Sequence, residues 1–153
     1  MVELHANDLL DQRIIENGKF TRNITSGSLI NAIKEMIDLM NTTLNFRNLK
    51  IELQIDYMNI PRFAKFDKRR LQQVLLNLIS NAVKYSTKGI IIVIPQVLMF
   101  SDNLQQLCVS VKDSGVGIKP DQLERIFTPF TNNANSNARS SHISNGIGLS
   151  VCK

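Results

Sequence analysis

The 153-residue chain has no tryptophan, only two cysteines and no apolar run of the length a bilayer demands. Each shortage excludes something. Cys108 and Cys152 stand far apart and alone, so neither a disulfide framework nor a cysteine metal box is suggested, and a reducing compartment, the cytoplasm, is expected. Without about 20 consecutive apolar residues there is no helical membrane span, and no basic start followed by an apolar middle marks a secretory leader. Aromatics are only 6% of the chain, which leaves few platforms for stacking single-stranded bases. The charge of +5 points toward nucleic acid, but the basic residues are scattered. Their one cluster, Lys65, Lys68, Arg69 and Arg70, reads as a solvated helix entrance, so no nucleic-acid partner is expected. Hydrophobic residues at 43% suit a single domain with a real core.

What is present concentrates in Arg70 to Tyr85, RLQQVLLNLISNAVKY. At about 100° per residue, Leu71, Val74, Leu75, Leu78 and Ala82 fall on one side, while Asn77, Asn81 and Lys84 gather on the adjoining flank. A side-chain amide ligates a hard cation through oxygen and donates through nitrogen without adding negative charge beside a polyphosphate. Lysine adds a positive point charge. On this segment alone, an amphipathic helix with solvated asparagines is an equal reading.

Val111 to Ile118, VKDSGVGI, follows the alternating run Leu107, Val109, Val111. A strand therefore feeds a glycine turn. Asp113 can accept from an exocyclic amine while Gly115 and Gly117 let backbone approach a flat ring, although Asp-Ser-Gly also marks an ordinary turn. Further on come ERIFTPF at Glu124 to Phe130, a polar run to Ser144, and NGIGLSV from Asn145. The polar run has too little apolar surface to pack alone and is expected to be mobile until a ligand binds. Gly146 and Gly148 open a predicted helix whose free amides favour phosphate.

A coarse reading of the rest gives a layered α+β domain. Residues 2 to 16 are predicted helical and residues 19 to 25 a short strand. A helix is predicted over Ser26 to Leu44, from apolar positions at helical spacing, and a half-buried strand over Leu49 to Tyr57. Asp67 is predicted to cap the paired-asparagine helix, which ends near Ser86 to Gly89. Ile90 to Val97 reads as a strand in which Pro95 argues for an edge or a bulge. Ser101 to Gln106 is predicted as a polar hairpin loop, Leu107 to Lys112 as the returning strand, and Pro120 to Phe127 as a short helix.

In this order the paired asparagines, the DxGxG turn, the FxPF element and the glycine helix start resemble the N, G1, F and G2 boxes of the histidine kinase ATP-binding domain. That family shares its fold with gyrase, MutL and the heat-shock chaperone ATPases. The resemblance implies a two-layer α/β sandwich of the Bergerat type, with a mixed sheet, helices on one face and a mobile ATP lid. It implies ATP and Mg2+ as cofactors, with Asn81 ligating the magnesium ion and Asn77 supporting it. Lys84 and Tyr85 would line the phosphate and ribose side, Asp113 would receive the adenine amine, and Gly115, Gly117 and Ile118 would shape the pocket. Arg139 of the lid would reach the phosphates, and Gly146, Ile147, Gly148 and Leu149 would form the phosphate-facing helix start.

The same resemblance implies that residues 1–18 are the end of a dimerisation helix and linker, residues 19–153 being the ATP-binding domain, short of its last strands. The γ-phosphoryl would go to a histidine on a dimerisation domain, and from there to a receiver domain. Neither His5 nor His142 has the setting of that phosphoacceptor, and no direct membrane contact is expected. Two departures from the family pattern stand out: Ser144 occupies a glycine place in a lid one residue longer, and the sequence stops at Lys153, where relatives continue through the helix after the glycines and a final pair of strands. Within the superfamily, Asn77 stands where the ATPase branches carry a glutamate. An amide cannot take the proton of attacking water. A regulatory or pseudokinase module, and less so an ATPase of the gyrase or chaperone kind, are the alternative readings.

Overall fold

The computed structural model describes residues 21–44, 48–101, 104–128, 149 and 152. Asn23 to Gly117 form one compact unit, and the described residues from Ile118 onward belong to a second.

Among the described residues the first unit holds two helices and five strands. Its first helix, α1 (Leu29–Thr43), starts where the Ser28 hydroxyl accepts a hydrogen bond from the Asn31 N–H at 3.3 Å, satisfying one of the amides a helix start leaves free. Leu29, Ala32, Ile33, Met36, Ile37 and Met40 bury one face at helical spacing. Predicted from Ser26, the helix begins three residues later because Thr25–Gly27 form strand β1, antiparallel to β3 (Ala64–Phe66). The strand predicted at 19 to 25 is therefore displaced toward the C-terminus, its register set by a partner some forty positions away.

Strand β2 (Leu49–Leu53) pairs in parallel with β4 (Gly89–Ser101), and β4 pairs antiparallel with β5 (Leu104–Lys112), in the order β2-β4-β5. A parallel pair requires a long crossover, and here it carries β3 and the second helix, α2 (Lys68–Tyr85). The open edge of β2 is blunted by Asn41 of α1, whose amide accepts from the Ile51 N–H at 3.2 Å and donates to the Ile51 carbonyl at 3.4 Å. One side chain thus imitates a neighbouring strand.

Beyond Leu53 the predicted strand stops, because Asp56 captures the backbone. Its carboxylate accepts from the Met58 N–H at 3.1 Å and the Asn59 amide at 2.6 Å, which turns the chain and leaves Tyr57 67% exposed. The hairpin is longer than predicted, with strand through most of the polar run between Ser101 and Gln106. Pro95 is buried in the central strand of this order, not at its edge. Val93 uses its carbonyl toward β2, accepting from Gln54 N at 2.9 Å. Pro95, two residues on, faces the same way but lies past the end of β2, so its missing N–H costs no ladder bond.

The core lies between the helices and one face of the three-stranded sheet: Ile33, Met36 and Ile37 of α1, Leu75, Ile79 and Ala82 of α2, Leu49 and Ile51 of β2, Ile91 and Val93 of β4. Ile90 and Leu98 on the other face of β4 are exposed, as the period-2 alternation of a one-sided sheet demands. The resulting α+β architecture, a mixed sheet with helices packed on it, is the one expected. In the second unit, helix α3 (Pro120–Leu123) begins at Pro120 but is only four residues long; residues 124 to 127 continue as turns with bonds from Arg125 N to the Gln122 carbonyl and Thr128 N to the Arg125 carbonyl, each 3.0 Å.

Candidate functional site

Helix α2 begins at Asp67, whose two carboxylate oxygens accept from the Arg70 N–H at 3.1 Å and the Asn23 N–H at 2.8 Å. Burial works against ionisation of this carboxyl, but the backbone donors of Asn23 and Arg70 outweigh it and hold its pKa below the usual value. The helix ends at Ser86, whose N–H donates to the Ala82 carbonyl at 3.0 Å. Among the four basic residues near its start, Lys68 is paired with Glu35 at 2.7 Å and Arg70 donates to Gln73 at 2.9 Å. The Lys68 hydrogen bond is the main cause that lowers the Glu35 pKa.

Around the helix the residues fall into three stripes. Leu75, Ile79 and Ala82 are buried in the core; Ile79, at 0% exposure, lies deepest and was not among the five apolar positions expected to face it. The apolar face is therefore centred further round, and Leu71, Val74 and Leu78 are half-buried beside it. With Arg70, Leu75, Leu107 and Val109 they line a cavity of about 280 Å³. Next in angle come Asn81, Asn77 and Lys84. Both asparagines are half-buried, and the Asn77 carbonyl accepts from the Ser80 hydroxyl at 3.1 Å. Neither lines that cavity, nor does Asp113.

At the end of α2 the predicted residues do meet. Lys84 Nζ lies 4.9 Å from the centroid of the exposed Tyr85 ring, within cation–π range. A Cβ at Gly115 would stand 2.7 Å from the Tyr85 carbonyl oxygen and 2.8 Å from Asp113 Oδ1. Glycine at 115 is thus required by the backbone of α2 itself. Its N–H donates to Asp113 Oδ1 at 2.7 Å, closing an Asx turn that fixes the carboxylate at the exit of β5.

Ser114 adds a second clamp that the sequence reading missed. Its hydroxyl donates to the Lys88 carbonyl at 2.7 Å, and Gly89, at φ +108°, leaves it room, since a Cβ there would meet that hydroxyl at 2.7 Å. The only hint was the Asp-Ser-Gly turn signal. Gly117 has φ +71° with open space where a Cβ would be, so backbone conformation rather than bulk reserves this position for glycine.

Ile118 opens the second unit and is 50% exposed. Leu149, half-buried and helical, accepts at its carbonyl from Cys152 N at 3.2 Å. Arg139, Gly146, Ile147 and Gly148 lie outside the described residues, as do both histidines and residues 1–18. No helix among the described residues is long and apolar enough to cross a membrane.

Residues 66–153 match the family described as histidine kinase-, DNA gyrase B-, and HSP90-like ATPases. Along its whole length the chain is 31% identical to hybrid signal transduction histidine kinase C of Dictyostelium discoideum, and over 96% of its length 35% identical to hybrid signal transduction protein dokA of the same organism. It spans only 12% and 9% of those two proteins. Among solved structures, full-length ShkA in complex with AMPPNP shares the fold with a TM-score of 0.80 at 23% identity, over 95% of this chain and 28% of that one. The catalytic domain of histidine kinase ThkA gives 0.66 at 27% identity, over 85% of this chain and 77% of that domain. ThkA has also been solved with the response regulator TrrA, at a TM-score of 0.64 over 85% of this chain and 37% of that one.

Proposed function

Since the chain belongs to the family of histidine kinase-, DNA gyrase B-, and HSP90-like ATPases and is an ATP-binding catalytic domain of the histidine kinase kind, we propose that it binds Mg-ATP and donates the γ-phosphoryl to a histidine on a dimerisation domain of its parent protein. Residues 1–18 are then the end of the dimerisation helix and a linker, and residues 19–153 the ATP-binding domain. The observation that carries this reading is the junction of two predicted elements. The end of the amide-bearing helix and the Asp113 turn are in van der Waals contact, and only the missing side chain of Gly115 permits it.

In this reading Asp113 accepts the adenine amino group, a role its acceptor-only carboxylate suits. Lys84 and Tyr85 flank the sugar and phosphates, with Gly117 and Ile118 completing the wall. Asn81 and Asn77 hold the metal ion. Among the described residues no three acidic, histidine or cysteine side chains cluster as a metal cage, so a hard cation would draw on amide oxygens, phosphate and water, a set that suits magnesium. Bound there, the ion would neutralise phosphate charge. Arg139 and the segment from Gly146 to Leu149 would close over the phosphates. Asn77 offers no base for water, so transfer depends on positioning and on an imidazole from another domain. A receiver domain is the onward partner, and the site works on the cytoplasmic side.

Calorimetric titration with ADP and with a non-hydrolysable ATP analogue, each with and without magnesium, tests the assignment. Binding of both, tightened by magnesium, is expected. Absence of adenine-nucleotide binding, or phosphate release at chaperone-ATPase rates, overturns it.

A further inference from the structure

The ladder between β4 and β5 ends at the pair Ile92 and Lys112. Asp113 is the first residue beyond it and is exposed, so neither strand pairing nor the core fixes where its carboxylate stands. The bond from the Gly115 N–H to Oδ1 sets the side chain relative to its own turn; it does not set the turn relative to the sheet. The Tyr85 carbonyl, 2.7 Å from the point where Gly115 would carry a Cβ, is a wall on one side. A wall limits movement without holding. Because a hydrogen bond weakens steeply with distance and angle, a turn free to slide along that wall would recognise an amine poorly.

Ser114 supplies the hold. Its hydroxyl donates to the Lys88 carbonyl at 2.7 Å, and that carbonyl belongs to the same peptide group as the Gly89 N–H, which donates to the Asn48 carbonyl at 3.0 Å. One peptide group thus joins the chain entering β2, the start of β4 and the turn that follows β5. The acceptor is itself anchored, so the hydroxyl ties the turn to the sheet. Gly89 serves the same contact: at φ +108° it leaves open the space in which a Cβ would stand 2.7 Å from Ser114 Oγ. An Asx turn asks only for the aspartate and the N–H two residues on. It does not require a hydroxyl between them, and the exposed Ser114 side chain fills no core volume, so neither turn chemistry nor packing accounts for the serine.

We propose that Ser114 is a positioning residue for base recognition: bonded to the Lys88 carbonyl, its hydroxyl holds the Asp113 carboxylate where it receives the amino group of adenine. Ser114 touches no ligand itself. Selectivity for an aminopurine therefore depends on a peptide group at the start of β4, remote in sequence from the carboxylate that exercises it. This rests on the nucleotide-binding reading above.

Calorimetric titration of the full chain with ADP and with purine riboside diphosphate, in which a C–H replaces the adenine amino group, tests the role. The native protein should prefer ADP by about tenfold, the worth of one charge-assisted hydrogen bond. Ser114→Ala should reduce that preference to about threefold, ADP binding more weakly while the deaminated analogue binds as before. Ser114→Thr, which keeps the donor, should restore it, and Gly89→Ala, whose methyl group would displace the hydroxyl, should narrow it as Ser114→Ala does. A serine that only supports the fold would weaken both ligands alike. An equal loss for both in Ser114→Ala, or an unaltered preference, overturns the role of Ser114. A native protein that binds neither ligand, or does not prefer ADP, overturns the reading of Asp113 instead.

Discussion

Substituting Gly115 by alanine places a methyl group 2.7 Å from the Tyr85 carbonyl oxygen, 2.8 Å from Asp113 Oδ1 and 3.0 Å from the Tyr85 carbonyl carbon. Ordinary contact begins near 3.4 Å, so one partner must retreat by about 0.7 Å. Tyr85 cannot give way cheaply, because the next residue is tied into the last turn of α2 by the bond from Ser86 N to the Ala82 carbonyl. The turn must move instead, and with it the carboxylate that the Gly115 N–H holds. Overpacking of this kind costs about 1–3 kcal/mol, or roughly 3–10 °C in melting temperature for a domain of this size. Displacing the carboxylate that this charge-assisted hydrogen bond holds should also weaken ADP binding by about tenfold or more. The control is Gly117→Ala, where φ is +71° but nothing stands within 4 Å. It should cost about 1 kcal/mol of backbone strain and leave the junction intact. Paired thermal melts and ADP titrations decide the matter. If Gly115→Ala is no less stable than Gly117→Ala and keeps native ADP affinity, the helix end does not rest on the turn and the reasoning fails.

Asn81→Ala should weaken nucleotide with magnesium far more than nucleotide alone; equal losses in the two calorimetric titrations would remove Asn81 from the metal. Ile79→Ala should cost about 2–5 kcal/mol in urea unfolding, and Leu78→Ala, beside the cavity, clearly less; the reverse order would mean that the core face of α2 is centred elsewhere. Asp67→Ala should cost about 1 kcal/mol at pH 7 through loss of the helix cap. Because the folded pKa of Asp67 lies below its unfolded value, that advantage is complete above about pH 4 and disappears as the pH falls through the folded value. Denaturation midpoints of variant and native protein should therefore converge in acid, and a gap that persists at pH 2 would show that the cap does not depend on charge.

The sequence makes features legible where a single residue decides them locally. Asp67 and Ser86 bound α2 within the expected limits because capping is a matter of three or four residues. Partners distant in sequence erase that legibility. Strand β1 is placed by β3, and the continuation of β2 toward Tyr57, plausible by alternation, loses to the turn that Asp56 ties. The polar end of the hairpin looks like loop by composition, and its strand is fixed instead by the pairing of β4 with β5. At the site, the amide stripe and the Asp113 turn are both visible as motifs. Their contact is not, since the need for Gly115 arises from a backbone thirty residues upstream.

The stripes of α2 bear on how such a site can vary without unfolding its scaffold. Core residues Leu75, Ile79 and Ala82 are separated from Asn77 and Asn81 by the half-buried Leu71, Val74 and Leu78. A change in the amides therefore removes no core volume, and exposed or half-exposed polar positions away from caps and clamps contribute little to stability. The C-terminal end of the helix has no such insulation. There the Tyr85 carbonyl lies against Gly115 of the Asp113 turn, so in the proposed reading base recognition and fold stability would be coupled through the same atoms. Substitutions that tune metal binding should be separable from stability, whereas those that tune base recognition through Gly115 should not.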